Sequence, residues 1–206
     1  MADPSEQPTL FRHAVTALSS LRPRPELELE IVKPPQRLAP WAFALAAEVN
    51  GPAGELASGR LVLLYDPEGE QAWDGVLRVV AYVRAELDPE IAADPLLTEV
   101  GWSWLTEALD ESGAAYRALG GTVTQTSSAR FGDINGPARS DDLELRASWT
   151  PVEGPAGSTT GSDPNTDPGG EAGAEMAAHG SAFCTLMSST AGLPPVGVTL
   201  LGQHRG

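Results

Sequence analysis

Two neighbouring segments of alternating apolar and polar residues constrain the fold of this chain more than any other feature. GRLVLLYD (59–66) and GVLRVVAYVRAEL (75–87) are joined by a loop that contains Pro67 and Gly69, which are common turn residues. Because successive side chains of a strand point to opposite faces of a sheet, a period of two predicts a pair of antiparallel strands.

Four further segments favour the same sheet. Apolar and polar residues alternate in the same way in ELELEIVK (26–33) and LELRASWT (143–150), and TVTQTSS (122–128) is rich in threonine, which favours strands. WAFALAAEV (41–49) also alternates, but its apolar residues satisfy a helical period as well. We interpret it as a strand, because aromatic side chains suit a pleated surface, and keep the helix as the alternative.

Three segments have the apolar spacing of helices. PTLFRHAVTALSSL (8–21) comes first, and a second helix over 95–112 follows the Asp94-Pro95 start signal and could extend to Gly120-Gly121. The last helix is predicted in the segment from 176 to 195. The expected fold is α+β: an antiparallel sheet of about five strands with helices packed on it, in the order α-(β)-β-β-β-α-β-β-α.

A compositional break divides the chain near its end. Residues 153–175 are rich in Gly, Pro, Ser, Thr and acidic residues, and they contain no apolar side chain larger than alanine. Such a segment buries too little surface to offset the entropy of ordering, so we expect a disordered insert. A single domain then comprises 1–152 plus 176–195, and 196–206 is expected to be a flexible tail.

The charge balance restricts the partners. The chain has 28 acidic and 13 basic residues, and its arginines are scattered, which argues against binding to nucleic acid or to a membrane. The opening residues do not resemble a secretory signal, no apolar run has the length of a membrane span, and Cys184 is the only cysteine. We therefore expect a cytoplasmic protein.

The closest approach to a catalytic motif is Gly101-Trp102-Ser103-Trp104-Leu105. It matches three positions of the nucleophile elbow, but Leu105 replaces the final glycine and Ser103 falls inside a predicted helix. The three histidines lie far apart, and no metal-ligand spacing or phosphate-binding loop occurs. We predict no catalytic, cofactor-binding or metal-binding residue, and Cys184 is expected to be a small core residue.

Two groups of residues remain as candidate sites. Trp102 and Trp104 lie well apart around the predicted helix, so one of them could serve an interface with a partner protein or a second copy. Arg78, Tyr82 and Arg84 share one strand face and could bind a carboxylate or phosphate. We expect such an anion-binding site between the sheet and helix 95–112, although a solvated face with paired charges also explains these residues.

Several segments resemble a known protein family in their amino-acid sequence. The chain is similar to an actinobacterial domain-of-unknown-function family, DUF3000, in the segments RLAPWAFALAAEV, GRLVLLYDPEG, AELDPEIAADPLLTEVGWSWLTEAL and GGTVTQTSSARFG. The resemblance implies a cytoplasmic actinobacterial protein and supplies no activity, cofactor or catalytic residue.

The predicted element order is also similar to that of type III secretion chaperones, which are small acidic dimers that bind other proteins. We expect a non-enzymatic protein-interaction or chaperone-like module, with an unknown partner or a second copy of the chain. The alternative is a binder of a small anionic ligand, or an enzyme acting on one.

Overall fold

Residues 7–52, 54–133, 136–152 and 168–194 are described by the structure, a computed structural model. Within these ranges, four helices and six strands follow one another in the order α1 (Thr9–Ser19), β1 (Leu27–Val32), β2 (Trp41–Gly51), β3 (Gly54–Glu70), β4 (Gly75–Leu87), α2 (Pro89–Ala92), α3 (Leu97–Glu111), β5 (Tyr116–Ala129), β6 (Arg139–Pro151) and α4 (Pro168–Thr190). The predicted α+β class is confirmed.

The six strands form one antiparallel sheet in the order β1-β2-β3-β4-β6-β5. The segment 41–49 is a strand, because Trp41 pairs with Tyr65 and the register continues to Val49 opposite Ala57. With this strand the sheet has six members rather than about five. Because β6 lies between them, β4 and β5 run parallel, and α2 and α3 form the connection that crosses from one to the other.

Helices α1, α3 and α4 cover one face of the sheet, which we call the helix face. The residues that point to it alternate along each strand, as in Leu61 and Leu63 of β3 or Leu145 and Trp149 of β6, and they are buried. The opposite face, which we call the open face, is covered by none of the helices in the described ranges. One end of it holds a small apolar cluster of Ala44, Val62 and Leu64, against which Val32, Ala39, Ala42, Trp73 and Val80 pack.

The helix boundaries differ from the predicted ones around α3. The Asp94 carboxylate accepts a hydrogen bond from the Leu96 amide at 2.9 Å, so Asp94-Pro95 forms a capped turn and the helix begins at Leu97. It ends at Glu111, before Gly113 with its φ of +67°, so the predicted extension to Gly120-Gly121 is wrong. Those two glycines belong to β5.

A second Asp-Pro pair produces a helix that periodicity alone did not predict. Asp88 caps α2 by accepting a hydrogen bond from the Glu90 amide at 2.9 Å, and Pro89 occupies the first helical turn. The helix has only four residues, which is too short for an apolar period to appear.

The last helix begins earlier than expected. Pro168 opens α4, so residues 168–175 of the predicted disordered insert are helical, and 153–167 lie outside the described ranges together with the predicted tail 196–206. Within those ranges, no helix is long and apolar enough to cross a membrane.

Candidate functional site

Ser103 lies in the middle of α3 and not on a strained turn. Its hydroxyl donates to the Val100 carbonyl at 2.9 Å, which is a bond within the helix. A nucleophile elbow needs a serine at a sharp strand-to-helix bend, where a base can reach it. The placement of Ser103 is therefore incompatible with that motif, as its sequence context predicted.

The two tryptophans of α3 occupy opposite flanks of the helix. Gly101 points at the sheet, because a Cβ there would lie 3.2 Å from Val123 and 3.5 Å from Leu143. At 100° per residue, Trp102 and Trp104 fall on either side of that direction. Both are half-buried and pack against the main core, so neither is a fully buried core residue.

The flank of each tryptophan can be assigned from its neighbours. Trp104 also packs against a second buried cluster that includes Leu87 at the end of β4, Leu97 and Leu143. Helix α3 lies over β5 and β6, so the flank that reaches toward β4 carries Trp104. The opposite flank, with Trp102, then faces the free edge of β5.

The structure places Arg78, Tyr82 and Arg84 together on the open face. They alternate along β4 with Val79, Ala81 and Val83, which are buried under the helices. Since α3 lies on the other side of the sheet, these side chains do not line a space between the sheet and helix 95–112. The predicted location of an anion site is therefore wrong, because adjacent residues of a strand point to opposite faces.

The Arg78 guanidinium donates hydrogen bonds to uncharged oxygen atoms. Its Nη1 donates to the Ala118 carbonyl at 2.9 Å and to Thr150 Oγ1 at 3.1 Å, and its Nη2 donates to Ser148 Oγ at 2.7 Å. Ala118 has a φ of +49° and lies in a bulge of β5, where the register with β6 shifts. The guanidinium thus ties this bulge to β4 and β6, and its burial lowers the pKa of Arg78 from the usual value.

Arg84 and Tyr82 belong to a network of paired charges. Arg84 forms an ion pair with Asp142 at 3.0 Å, and Arg146 pairs with Glu144 at 2.8 Å. The Arg146 guanidinium lies 5.5 Å from the centre of the Tyr82 ring, and burial followed by the nearby Glu144 carboxylate raises the pKa of Tyr82. The arginines are thus neutralised by their neighbours on the same face.

A histidine that sequence reasoning left without a role lies in the core. Trp149 Nε1 donates to His179 Nδ1 at 3.0 Å, so the neutral imidazole carries its proton on Nε2, which is buried without a partner among the described residues. Burial lowers the pKa of His179 to about 4. No local pattern could have identified this pair, because the two residues come from β6 and α4 and meet only in the tertiary fold.

Cys184 is half-buried and packs against the main core from its edge. It lines a cavity of about 450 Å³ on the outer side of α4, together with Arg22, Arg24, Glu111 and several hydroxyl side chains. Burial raises the pKa of the Cys184 thiol to about 11, which keeps it protonated and weakly nucleophilic at neutral pH. A second cavity of about 380 Å³ lies beside Gly75 and Met176.

Four exposed apolar side chains lie at the end of the fold where β4 finishes and the β5–β6 hairpin turns. We call this surface the apolar end; its residues and exposed fractions are Ile91 (49%), Leu96 (60%), Val100 (37%) and Phe131 (81%). The same segment of the chain carries four exposed carboxylates: Asp88 caps α2, Glu90 lies in α2, Asp94 lies in the turn before α3 and Glu99 lies in α3. Sequence reasoning missed this surface.

Comparisons with known proteins give one match. The model of a family described as "Protein of unknown function (DUF3000)" matches residues 7–199, almost the whole chain. No curated protein and no solved structure matches the chain. Within the part of the chain that the structure describes, no three His, Cys, Asp or Glu side chains are grouped so that they could hold a metal ion.

Proposed function

We propose that this chain, which belongs to the DUF3000 family, is a non-enzymatic, chaperone-like module that binds a partner protein at the apolar end. The observation that carries the proposal is the exposure of Leu96 and Phe131, at 60% and 81%, beside Ile91 and Val100. Exposed apolar side chains that cluster, rather than lie scattered, are typical of protein-binding surfaces.

The charge around the apolar end indicates the chemistry of the partner. Residues 85–116, which contain α2 and α3, include eight acidic residues and no basic one. A surface with apolar side chains in the middle and carboxylates around them is complementary to a basic, amphipathic segment. We therefore propose that the partner supplies such a segment, whose apolar side contacts Leu96 and Val100 and whose lysines or arginines approach the carboxylates.

The rival function, binding of a small anion through Arg78, Tyr82 and Arg84, has less support. Arg78 already donates three hydrogen bonds, and Arg84 is paired with Asp142. Neither of the two cavities described above includes these residues in its wall. A protein-binding surface accounts better for the side chains that are exposed and unpartnered.

The proposal is tested with two leucines of similar exposure at different places. Leu96 lies at the apolar end and Leu38, 53% exposed, lies in the connection between β1 and β2. Proteins retained from a lysate of the source cells by the wild-type chain and by Leu38→Ser, but lost with Leu96→Ser, are the candidate partners. Each candidate is then purified and its dissociation constant measured by titration calorimetry.

We expect Leu96→Ser to weaken binding of the purified partner at least roughly tenfold, because loss of a buried leucine contact removes about 1.5 kcal/mol or more. Leu38→Ser leaves the affinity unchanged, and added salt weakens binding because lysines or arginines meet exposed carboxylates. A partner that binds wild type and Leu96→Ser equally would overturn the proposed surface. Turnover of a small anionic compound by the purified chain would instead establish the rival function.

A further inference from the structure

The two edges of the sheet differ in the features that control pairing with another strand. β1, at one edge, has six residues, among them the exposed Glu28 and Glu30. β5, at the other edge, has fourteen residues, and no charged residue or proline occurs from 118 to 129. Exposed edges are normally protected by charge, proline or short length, and β5 has none of these protections along that stretch.

The outer side of β5 offers unpaired backbone groups. Among the described strands, β6 alone pairs with β5, so alternate amide and carbonyl groups of β5 point away from the sheet. The bulge at Ala118 lies near the start of the strand, and the register from Gly120 to Ala129 is regular. Ten consecutive residues are therefore arranged to pair with another strand.

We propose that β5 pairs antiparallel with β5 of a second copy of this chain, which joins two sheets into one of twelve strands. A second copy fits because each chain carries a net charge of −15, and two such chains can approach with least repulsion along an uncharged strand. A two-fold axis makes the same surface meet itself, and an uncharged strand is complementary to itself in any register.

Helix α3 adds an aromatic contact to this interface. The half-buried Trp102 lies on the flank of α3 that faces the β5 edge, so the two-fold axis brings the indoles of both copies toward the strand pair. Ten paired residues span about 34 Å, and together with Trp102 they bury roughly 1,000 Å² in total, the size of a weak specific interface. The expected assembly is a dimer in concentration-dependent equilibrium with its monomer.

The other edge of the sheet prevents further growth. In a dimer joined through β5, both free edges are β1 strands, where Glu28 and Glu30 of one dimer would meet the same carboxylates of the next. Like charges placed opposite each other disfavour strand pairing. Association is therefore expected to stop at two copies.

The test uses three exposed threonines on the open-face side of β5, at positions 122, 124 and 126. Light scattering coupled to size exclusion, over a dilution series of the full chain, measures the mass of the wild type, of T122K/T124K/T126K, of T122E/T124E/T126E and of the control T122S/T124S/T126S. Circular dichroism melting checks that each variant folds.

We expect a wild-type mass that rises with concentration toward twice the 21.5 kDa of one chain. The lysine and glutamate variants, each alone, raise the dimer dissociation constant at least roughly tenfold, since several like charges then face each other. Mixing the two variants restores the dimer through opposite charges, which a merely unfolded variant could not do. The serine control dimerises like the wild type.

A wild-type mass of one chain at the highest soluble concentration would overturn the proposal, and so would a dimer that the lysine variant leaves intact. The outcome is independent of the proposed function. Leu96→Ser is expected to dimerise normally while losing its partner, whereas the lysine variant of β5 keeps the apolar end unaltered.

Discussion

The two faces of the sheet carry different kinds of side chains, and the two kinds differ in how much they contribute to the stability of the fold. The helix face is a dry layer in which side chains such as Trp149 and Leu105 are fully buried. Apart from its small apolar cluster, the open face carries arginines and carboxylates that form ion pairs, such as Arg84 with Asp142 and Arg146 with Glu144. Burial of apolar area contributes far more free energy than exposed ion pairs. Substitutions on the helix face should therefore cost several times more than those on the open face.

The largest difference is expected for Trp149→Ala. The substitution removes a fully buried indole and leaves His179 Nδ1 without its donor, so the free energy of unfolding should fall by about 3–5 kcal/mol. Tyr82→Ala, on the open face, should cost about 1 kcal/mol or less, because the ring is half-exposed. Urea unfolding of both variants measures the difference, and equal losses would contradict the contrast between the faces.

The next effect concerns how closely α4 approaches the sheet. A Cβ on Gly59 would lie 2.9 Å from the Tyr82 carbonyl oxygen and would collide with Met187 of α4. Gly59→Ala should therefore destabilise the fold by up to about 3 kcal/mol.

Gly120→Ala is the matched control, since a Cβ on this strand glycine meets nothing within 4 Å and the change should be close to neutral. Thermal melting compares the two variants. A neutral Gly59→Ala would mean that α4 can move away from the sheet without cost.

A smaller effect should appear as the pH falls. The pKa of His179 is about 4 in the folded chain and 6.5 for an unperturbed imidazole, so the unfolded state binds the proton first as the pH drops. Stability is then complete above pH 6.5, falls between 6.5 and 4, and loses about 2 kcal/mol by pH 5. Urea unfolding at pH 7 and pH 5 measures this loss.

His179→Gln supplies the comparison, because glutamine does not titrate. This variant should lose less stability than the wild type between the two pH values, because only other titratable groups then change its free energy of unfolding with pH. An identical pH dependence for both chains would show that His179 is solvated in the folded state.

The smallest effects should distinguish two arginines within the open face. Arg78→Met leaves the Ala118 carbonyl and the Ser148 and Thr150 hydroxyls without their donor, so it should cost about 1–2 kcal/mol. Arg84→Met breaks only an exposed ion pair with Asp142 and should cost below about 0.5 kcal/mol. Chemical unfolding measures the loss of stability in both variants. A larger loss for Arg84→Met than for Arg78→Met would contradict the structural role given to Arg78.

The sequence predicts the strands well because burial of one face imposes a period of two. The sheet class and the pairing of 59–66 with 75–87 follow from that period, whereas the strand at 41–49 fits a helical period as well and was favoured by its aromatic residues. Helix ends are predicted less well. The Gly-rich start of α4 has low intrinsic helix propensity, and the four residues of α2 are too few to display an apolar stripe.

The candidate sites were harder to predict, because they depend on which face of the sheet the helices cover. The alternation of β4 correctly groups Arg78, Tyr82 and Arg84, but Val80 shares their face, so composition did not reveal that α1, α3 and α4 all pack on the other face. The apolar end arises where the chain turns from β4 into α3, and its side chains are exposed because none of the described elements covers that corner. Such gaps are properties of the assembled fold.

The contact between the first and last helices has a consequence for synthesis on the ribosome. Gly180 of α4 lies so close to α1 that a Cβ there would collide with Leu18 and Leu21. These residues are about 160 positions apart, so at 5–20 residues per second translation separates them by roughly 8 to 30 seconds. All six strands are synthesised within that interval, so the part of the helix face that α4 covers stays exposed on the nascent chain until α4 itself is made.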